Sequence, residues 1–363
     1  MSLTHIEHIE DLLLERSSDS AAFFVLKKSL EELKTAKTIS VKYDGAPSIV
    51  CGLLDGKFFL STKSIFNKTP KIAFTINDIK TLFKGELQIK LQAVFNALKD
   101  EKFTNIIQFD LIGTKKEYQK NSLVQNLVPN VVEYRIHANI EKYDIVIAVH
   151  SVYESKTITE LQLETPKVAP FMKFKCAYNL STESKLELST YTNIDSALNM
   201  INSFSNELSD AVLTEFKCFI NNSIRKMYFY YYEDTADVID KFSSFVFEKY
   251  KNQILDYKTE KARTAKALEL SDLVLDILSS NTFSTIEKIL QITKELEVIK
   301  RDVINCLQIK NVSSSIGTLN QHEGAVIKIE DTLVKIVNRY VFSAENFLKN
   351  ETTFKTKNPA CNN

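Results

Sequence analysis

The stretch TISVKYDGAPSIVCG (residues 38–52) decides the reading of the chain, because the spacing of apolar residues changes where it begins. Ahead of it Ile6, Ile9 and Leu13, then Phe23, Leu26, Leu30 and Leu33, recur three or four apart, as one buried helical face requires. The intervening RSSDS (residues 16–20) offers serine and aspartate side chains for a helix N-cap. From residue 38 the period is two: Ile39, Val41 and Tyr43 alternate with Ser40 and Lys42, the pattern of a half-buried strand. SIVCGLL (48–54) and KFFLSTK (57–63) then flank Asp55-Gly56, a two-residue hairpin signal.

Further out, NIIQFDLIG (105–113) and YDIVIAVHSVY (143–153) read as buried strands. GAVIKIE (324–330) and TLVKIVN (332–338) read as a strand pair turning around Glu330-Asp331. Between these blocks the pattern is helical. All seven glycines lie outside 114–316 and no proline falls between Pro170 and Pro359, so residues 171–316 lack both breakers. Ile194, Leu198, Ile201, Leu208, Val212, Phe216 and Phe219 follow helical spacing, as do Ile286, Ile289, Ile292, Leu296, Ile299, Val303 and Leu307. The aromatic run MYFYYYED (227–234) is expected in or beside that helical core. The resulting expectation is an α+β, antiparallel-rich domain built from both strand blocks and interrupted by a large all-helical insertion. Its boundaries are N-terminal helices over 1–36, a first core part over 37–180, the insertion over 181–316, a second core part over 317–350 and a tail over 351–363.

Composition excludes several function classes. Lys+Arg and Asp+Glu are equal at 46 each, so no global charge draws the chain to nucleic acid or anionic lipid, and any polyanion site must be a local basic patch. The five cysteines are scattered and never form a CxxC pair, which argues against a disulfide framework or zinc knuckle. MSLTHIEHIEDLLLE shows no signal-peptide apolar region, and DIVIAVHSVY is too short to span a bilayer. A soluble cytoplasmic protein without a membrane partner is the expectation.

The chemistry-bearing residues are charges on otherwise apolar strands. Taken alone, K-x-D-G at Lys42 and Asp44 is a strand lysine beside a common turn. Asp110 is the only charge in NIIQFDLIG, Glu323 precedes Gly324 and the apolar AVIKI, and Lys335 interrupts LVKIV. A charge on a buried strand needs a partner, a metal or a ligand, the plain alternative being an internal salt bridge such as Asp110 with Lys335. His5 and His8 in HIEH have a helical spacing that suits a metal or a solvated face. His322 reads either as a pocket residue or as a polar strand start, His150 as a satisfied core histidine, and KKEYQK (115–120) and KTKNP (355–359) as solvated loops.

In order along the chain KYDG, QFDLIG, EGAVIKI and LVKIV resemble motifs I, III, IV and V of the covalent nucleotidyltransferase superfamily, the RNA and DNA ligases and mRNA capping enzymes. The longer blocks VKYDGAPSIVCG, STKSIFNKTPK and HEGAVIKIEDTLVKIVNRYVFSAENF look closer to ligase-like proteins of tailed bacteriophages. The resemblance covers residues 1 to about 155 and 317–350; the helical block has no counterpart in it. It implies a nucleotidyltransferase (ATP-grasp-like ligase) core and ATP and Mg²⁺ as cofactors.

By the same resemblance Lys42 is the nucleophile that forms a lysyl-AMP, with Asp44 and Lys335 beside it in catalysis and Lys335 on the α-phosphate. Asp110 and Phe109 would bind the nucleotide, Glu323 and Asp110 the metal, and Lys63 and Lys328 would supply further positive charge. Three departures stand out: Pro47 where the superfamily has arginine, one lysine in LVKIV where two are usual, and aspartate at 110 where glutamate is usual. Fewer than 30 residues follow Lys335, too few for the OB domain of DNA ligases and capping enzymes, so the implied activity is an ATP-dependent RNA ligase. Its partner would be RNA, with DNA as the alternative, carrying a 5′-phosphate end. Two other readings stay open: a ligase-fold nucleotide- or nucleic-acid-binding protein without catalysis, and a different transfer such as capping or protein adenylylation.

Overall fold

The computed structural model describes residues 7–15, 21–35, 38–119, 122–169, 172–180, 183–186, 192–225, 234–330 and 332–346. His5, RSSDS, most of MYFYYYED, Asp331, Lys120 and KTKNP lie outside the described residues. The chain divides into two compact units. One contains 36–187 and 303–337; the other contains 7–35, 188–302 and the segment from Asn338 onward.

The first unit is α+β with antiparallel-rich sheets. Its main strands are β1 (Thr38–Lys42), β2 (Ser48–Leu54), β3 (Lys57–Thr62), β4 (Ile106–Thr114), β5 (Gln125–Leu127), β6 (Val132–Ile136), β7 (Ile145–Tyr153), β8 (Glu183–Leu186), β9 (Val312–Ile316), β10 (Gly324–Ile329) and β11 (Thr332–Val337). One sheet contains the run β11-β10-β1-β8, closed by Leu307–Gln308; a second contains β7-β4-β2-β3; a third is β9-β6-β5. Every pairing among β1 to β11 is antiparallel.

Alternation sorts the side chains. On β4 and β2 the residues Ile107, Phe109, Leu111, Ile49 and Cys51 enter a large core with the helix Gly85–Leu98. Ile106 and Val50 enter a smaller cluster with Tyr153 and Leu161 on the other face, the face that Ser48 and Asp110 share. The hairpin between β2 and β3 turns as its sequence predicts, with Asp55 at φ 49° and Gly56 at φ 74°, both left-handed.

The second unit is helical and takes in Ala21–Thr35 with Thr192–Ser203, Asp210–Arg225, Thr235–Leu255, Glu260–Ile277 and most of Ser280–Asn305. The predicted faces are buried: Ile194, Val212, Phe216, Ile286, Ile289 and Leu296 are all at 0–1% exposure. The expected insertion over 181–316 differs from this at both ends, because Glu183–Leu186, Leu307–Gln308 and Val312–Ile316 are strands of the first unit. Short strands without glycine or proline leave no breaker signal to locate them. The first N-terminal helix is a six-residue 3-10 helix, Ile9–Leu14, and Phe23 of Ala21–Thr35 stacks on Phe204 at 5.9 Å. Among the described residues no helix is long and apolar enough to cross a membrane.

Candidate functional site

Lys42 ends β1 in register with Gly324 of β10, which is itself paired with Val337 of β11. One residue back, Val41, Ala325 and Ile336 form an apolar rung, at most 9% exposed, on the opposite face. The lysine therefore points to the polar face because its neighbours bury the other one. Ser40, Val326 and Lys335 form the next rung on the Lys42 face, placing Lys335 about 12 Å from Lys42 between Cα atoms by sheet geometry. Lys328 shares that face but lies further along the hairpin and is exposed.

Glu323 precedes Gly324 and meets the lysine directly: Lys42 Nζ is 2.9 Å from Glu323 Oε1 and 3.0 Å from Oε2. The carboxylate side chain is 3% exposed and the ammonium 23%. Burial works against the Lys42 charge, but Glu323, Asp110 and Asp44 together hold its pKa above the ordinary value. Gly324 is required here. Its φ is +155°, and a Cβ would lie 2.1 Å from the Ile336 carbonyl oxygen, so no side chain fits where β10 meets β11.

After Lys42 the chain crosses from the first sheet to the second. Ala46 N–H donates to Leu111 O (3.0 Å) and Leu111 N–H to Pro47 O (3.1 Å), and the Ala46–Pro47 peptide is cis. A Cβ on Gly45 would lie 2.7 Å from Leu111 O and 2.8 Å from the Asp110 Cβ, so the Asp-Gly pair serves a close backbone crossing. Asp44 donates its backbone N–H to the Tyr134 hydroxyl (2.5 Å), while its Oδ2 is buried with no hydrogen-bond partner. Burial, then the Glu323 charge, pushes the Asp44 carboxyl up to about 6.

Asp110 faces the same site from β4. Burial opposes its ionisation, but His150, Lys42 and Ser48 hold its pKa below the usual carboxylate range. His150 Nε2 is 3.6 Å from Asp110 Oδ1, and His150 Nδ1 is 3.0 Å from Ser151 Oγ. Contrary to its reading as a core histidine, the His150 side chain is 37% exposed. The reason is a bulge: Gln108 pairs with Ser151 and Phe109 with Val149, so His150 is the extra residue, turned out of the alternation toward Asp110.

Phe109 needs correcting. It is fully buried in the large core on the opposite face of β4 from Asp110, where the two-residue period of the strand puts it, and it does not line this site. Lys63 is exposed at the head of the 3-10 turn Lys63–Phe66, just past the β3 residue paired with Ile49. His322 is pinned by Ser314 Oγ to Nδ1 at 2.5 Å, and burial lowers its pKa to about 4. In the helical unit His8 Nδ1 is 4.0 Å from Glu10.

Sequence reasoning missed Tyr134, Ser48 and Asn130, each of which bonds one of the site carboxylates or its backbone. Only the alternation in VEYRI pointed at Tyr134, as an inward residue. Four segments far apart in the chain thus bring one lysine and three carboxylates together. Among the described residues no group of three or more His, Cys, Asp or Glu side chains is arranged to hold a metal ion by itself.

A family model described as a family of unknown function, DUF6267, matches residues 3–351. The chain belongs to that family. No curated protein and no solved structure matches it. Since the match runs from residue 3 to 351, membership takes in both units of this DUF6267 chain.

Proposed function

We propose that the protein is an ATP-dependent polynucleotide ligase, acting on RNA, that works through a covalent lysyl-AMP on Lys42. The observation that carries the reading is the Lys42–Glu323 pair, with Asp110, Asp44 and Lys335 around or beside it in the order and roles the motif resemblance implies. In the resting site the ammonium is held charged by Glu323 and cannot attack. Attack on the α-phosphorus requires Lys42 to leave the carboxylate and lose a proton, and Glu323, within 3.0 Å of Nζ, is placed to receive it. The N–P bond then forms as the bond to the leaving pyrophosphate breaks. The adenylyl group passes next to a 5′-phosphate end, and Lys42 returns to its amine form.

Lys335 on the Lys42 face suits the α-phosphate, whose charge must be neutralised as the nucleotide is transferred. Asp44 and Asp110 would hold Mg²⁺ jointly with the nucleotide phosphates, since this ion is usually bound by one or two carboxylates plus phosphates. Asp44 Oδ2, buried without a partner, is an oxygen available for that role. The ion would neutralise charge on the phosphates and on pyrophosphate as it leaves.

A second reading, nucleotide or RNA binding without catalysis, is favoured by the closed Lys42–Glu323 pair and by Pro47, whose carbonyl serves the backbone crossing. One assay separates them. The protein is incubated with Mg²⁺ and α-labelled ATP or GTP and resolved on a denaturing gel. Acid-labile, alkali-stable label is expected with ATP and lost in Lys42→Ala; absence of label with either nucleotide, or label surviving in that variant, removes the lysyl-nucleotide reading. Chasing the label into 5′-phosphorylated single-stranded RNA, nicked RNA duplex and nicked DNA then tests ligation and acceptor.

A further inference from the structure

A cavity of about 320 Å³ in the first unit plays no part in the chemistry above. Its wall takes Arg135 and Ser313 from paired positions on β6 and β9, and Asn320, Gln321 and His322 from the loop that leads to Glu323. The volume lies at the small end of the range for small-ligand sites, roughly 300–1,000 Å³. None of the lining residues is a carboxylate.

Arg135 donates through Nε to Glu133 at 3.2 Å, an ion pair of half-exposed groups that solvent screens and a ligand anion displaces. His322, held near pKa 4 by burial, is neutral at pH 7 and adds hydrogen-bonding capacity instead of a second charge. One guanidinium among uncharged amides, hydroxyls and an imidazole matches a ligand with one phosphate and a hydrogen-bonding body. A nucleotide fits that description, its phosphate on the arginine and its base edge on the amides.

The cavity is wired to the Lys42 site. Tyr134 and Ser314 are opposite each other on β6 and β9. The Tyr134 hydroxyl accepts from Asp44 N–H, while Ser314 Oγ bonds the Gln321 carbonyl (3.2 Å) and His322 Nδ1, next to Glu323. We propose that this cavity seats the 5′-phosphate-bearing terminal nucleotide of the acceptor RNA; the proposal rests on the ligase reading of the Lys42 site.

The test is fluorescence anisotropy on the full chain without ATP, using a short single-stranded RNA labelled at its 3′ end. It compares 5′-phosphate with 5′-hydroxyl RNA, uses free AMP as competitor, and is run on wild type, Arg135→Gln and Asn320→Ala. The 5′-phosphate RNA is expected to bind more tightly, and Arg135→Gln to weaken it about tenfold, the loss of one charge-assisted contact. Asn320→Ala, a loop change, should weaken it less, and both variants should keep Lys42 labelling. Equal binding of the 5′-hydroxyl RNA, or wild-type affinity in both variants, overturns the proposal. Competition by free AMP at the same concentration as 5′-phosphate RNA overturns the strand-end assignment in favour of a mononucleotide cavity. Arg135-dependent RNA binding in a protein that never labels Lys42 upholds the cavity and removes only the chemistry.

Discussion

At the residue scale, the Lys42–Glu323 pair and Gly324 concentrate the risk. Glu323→Gln leaves the lysine facing an amide, and with Lys42 23% exposed the cost should be about 1–3 kcal/mol, below that of a fully buried pair. Urea denaturation reads that cost, and the labelling assay should show a loss of lysyl-nucleotide at the same time. Gly324→Ala should destabilise by about 2–3 kcal/mol or more, because a Cβ at 2.1 Å from the Ile336 carbonyl forces the β10–β11 pair apart; an unchanged melting temperature would contradict the packing. Lys42, Asp110, Glu323 and Lys335 were legible in the sequence as isolated charges on apolar strands, since burial makes such charges conspicuous. Tyr134 and Ser48 were not, because a tyrosine or serine on a strand has ordinary uses and its partner is set by strands distant in the chain.

At the element scale, strands were recognisable by period, and their faces followed. Ile107, Phe109 and Leu111 enter one core and Asp110 the other side, as a period of two demands. The same rule excludes Phe109 from the site that Asp110 faces. What the period cannot reveal is a bulge, an extra residue visible only against its partner strand, and the bulge puts His150 on Asp110. His150→Ala should therefore raise the Asp110 pKa. The wild-type Asp110 pKa is lowered, so its contribution to stability is present above the unfolded-state pKa and lost on acidification through the folded value. The variant should be less stable at pH 7 by about 0.5–1 kcal/mol, given the exposure of the imidazole, with the gap closing toward pH 3; parallel urea midpoints at the two pH values check this.

At the scale of the whole molecule, the helical unit has an acid–base cluster of its own. Lys300 Nζ lies 2.5 Å from Glu297 Oε1 and 3.0 Å from Glu10 Oε1, all nearly fully buried. Two carboxylates share one ammonium, and burial raises the Glu297 pKa to about 7. A raised carboxyl pKa gives stability that is full below the unfolded value of 4.5 and lost as pH rises through about 7. Glu297→Gln should therefore flatten the fall in stability between pH 5 and 8, a span on the order of 2–3 kcal/mol, as read from melting curves. Deleting 188–302 alone should aggregate the protein, because Phe23, Leu26 and Leu30, fully buried in the helical unit, lose their cover; removing 7–35 as well should relieve this. Light scattering of the two deletions distinguishes these outcomes.

The sequence by itself determined the α+β composition, the hairpin at Asp55-Gly56, the faces of the helices and which charges sit on apolar strands. These depend on near neighbours, whose spacing directly sets which side is buried. Only the tertiary structure decided that residues 303–316 return to the sheet unit and that Ala21–Thr35 joins the helical one. The same holds for Lys42 meeting Glu323, 281 positions away, and for the bulge that turns His150 to Asp110. Such pairings depend on strand register between remote segments, which local periodicity does not encode.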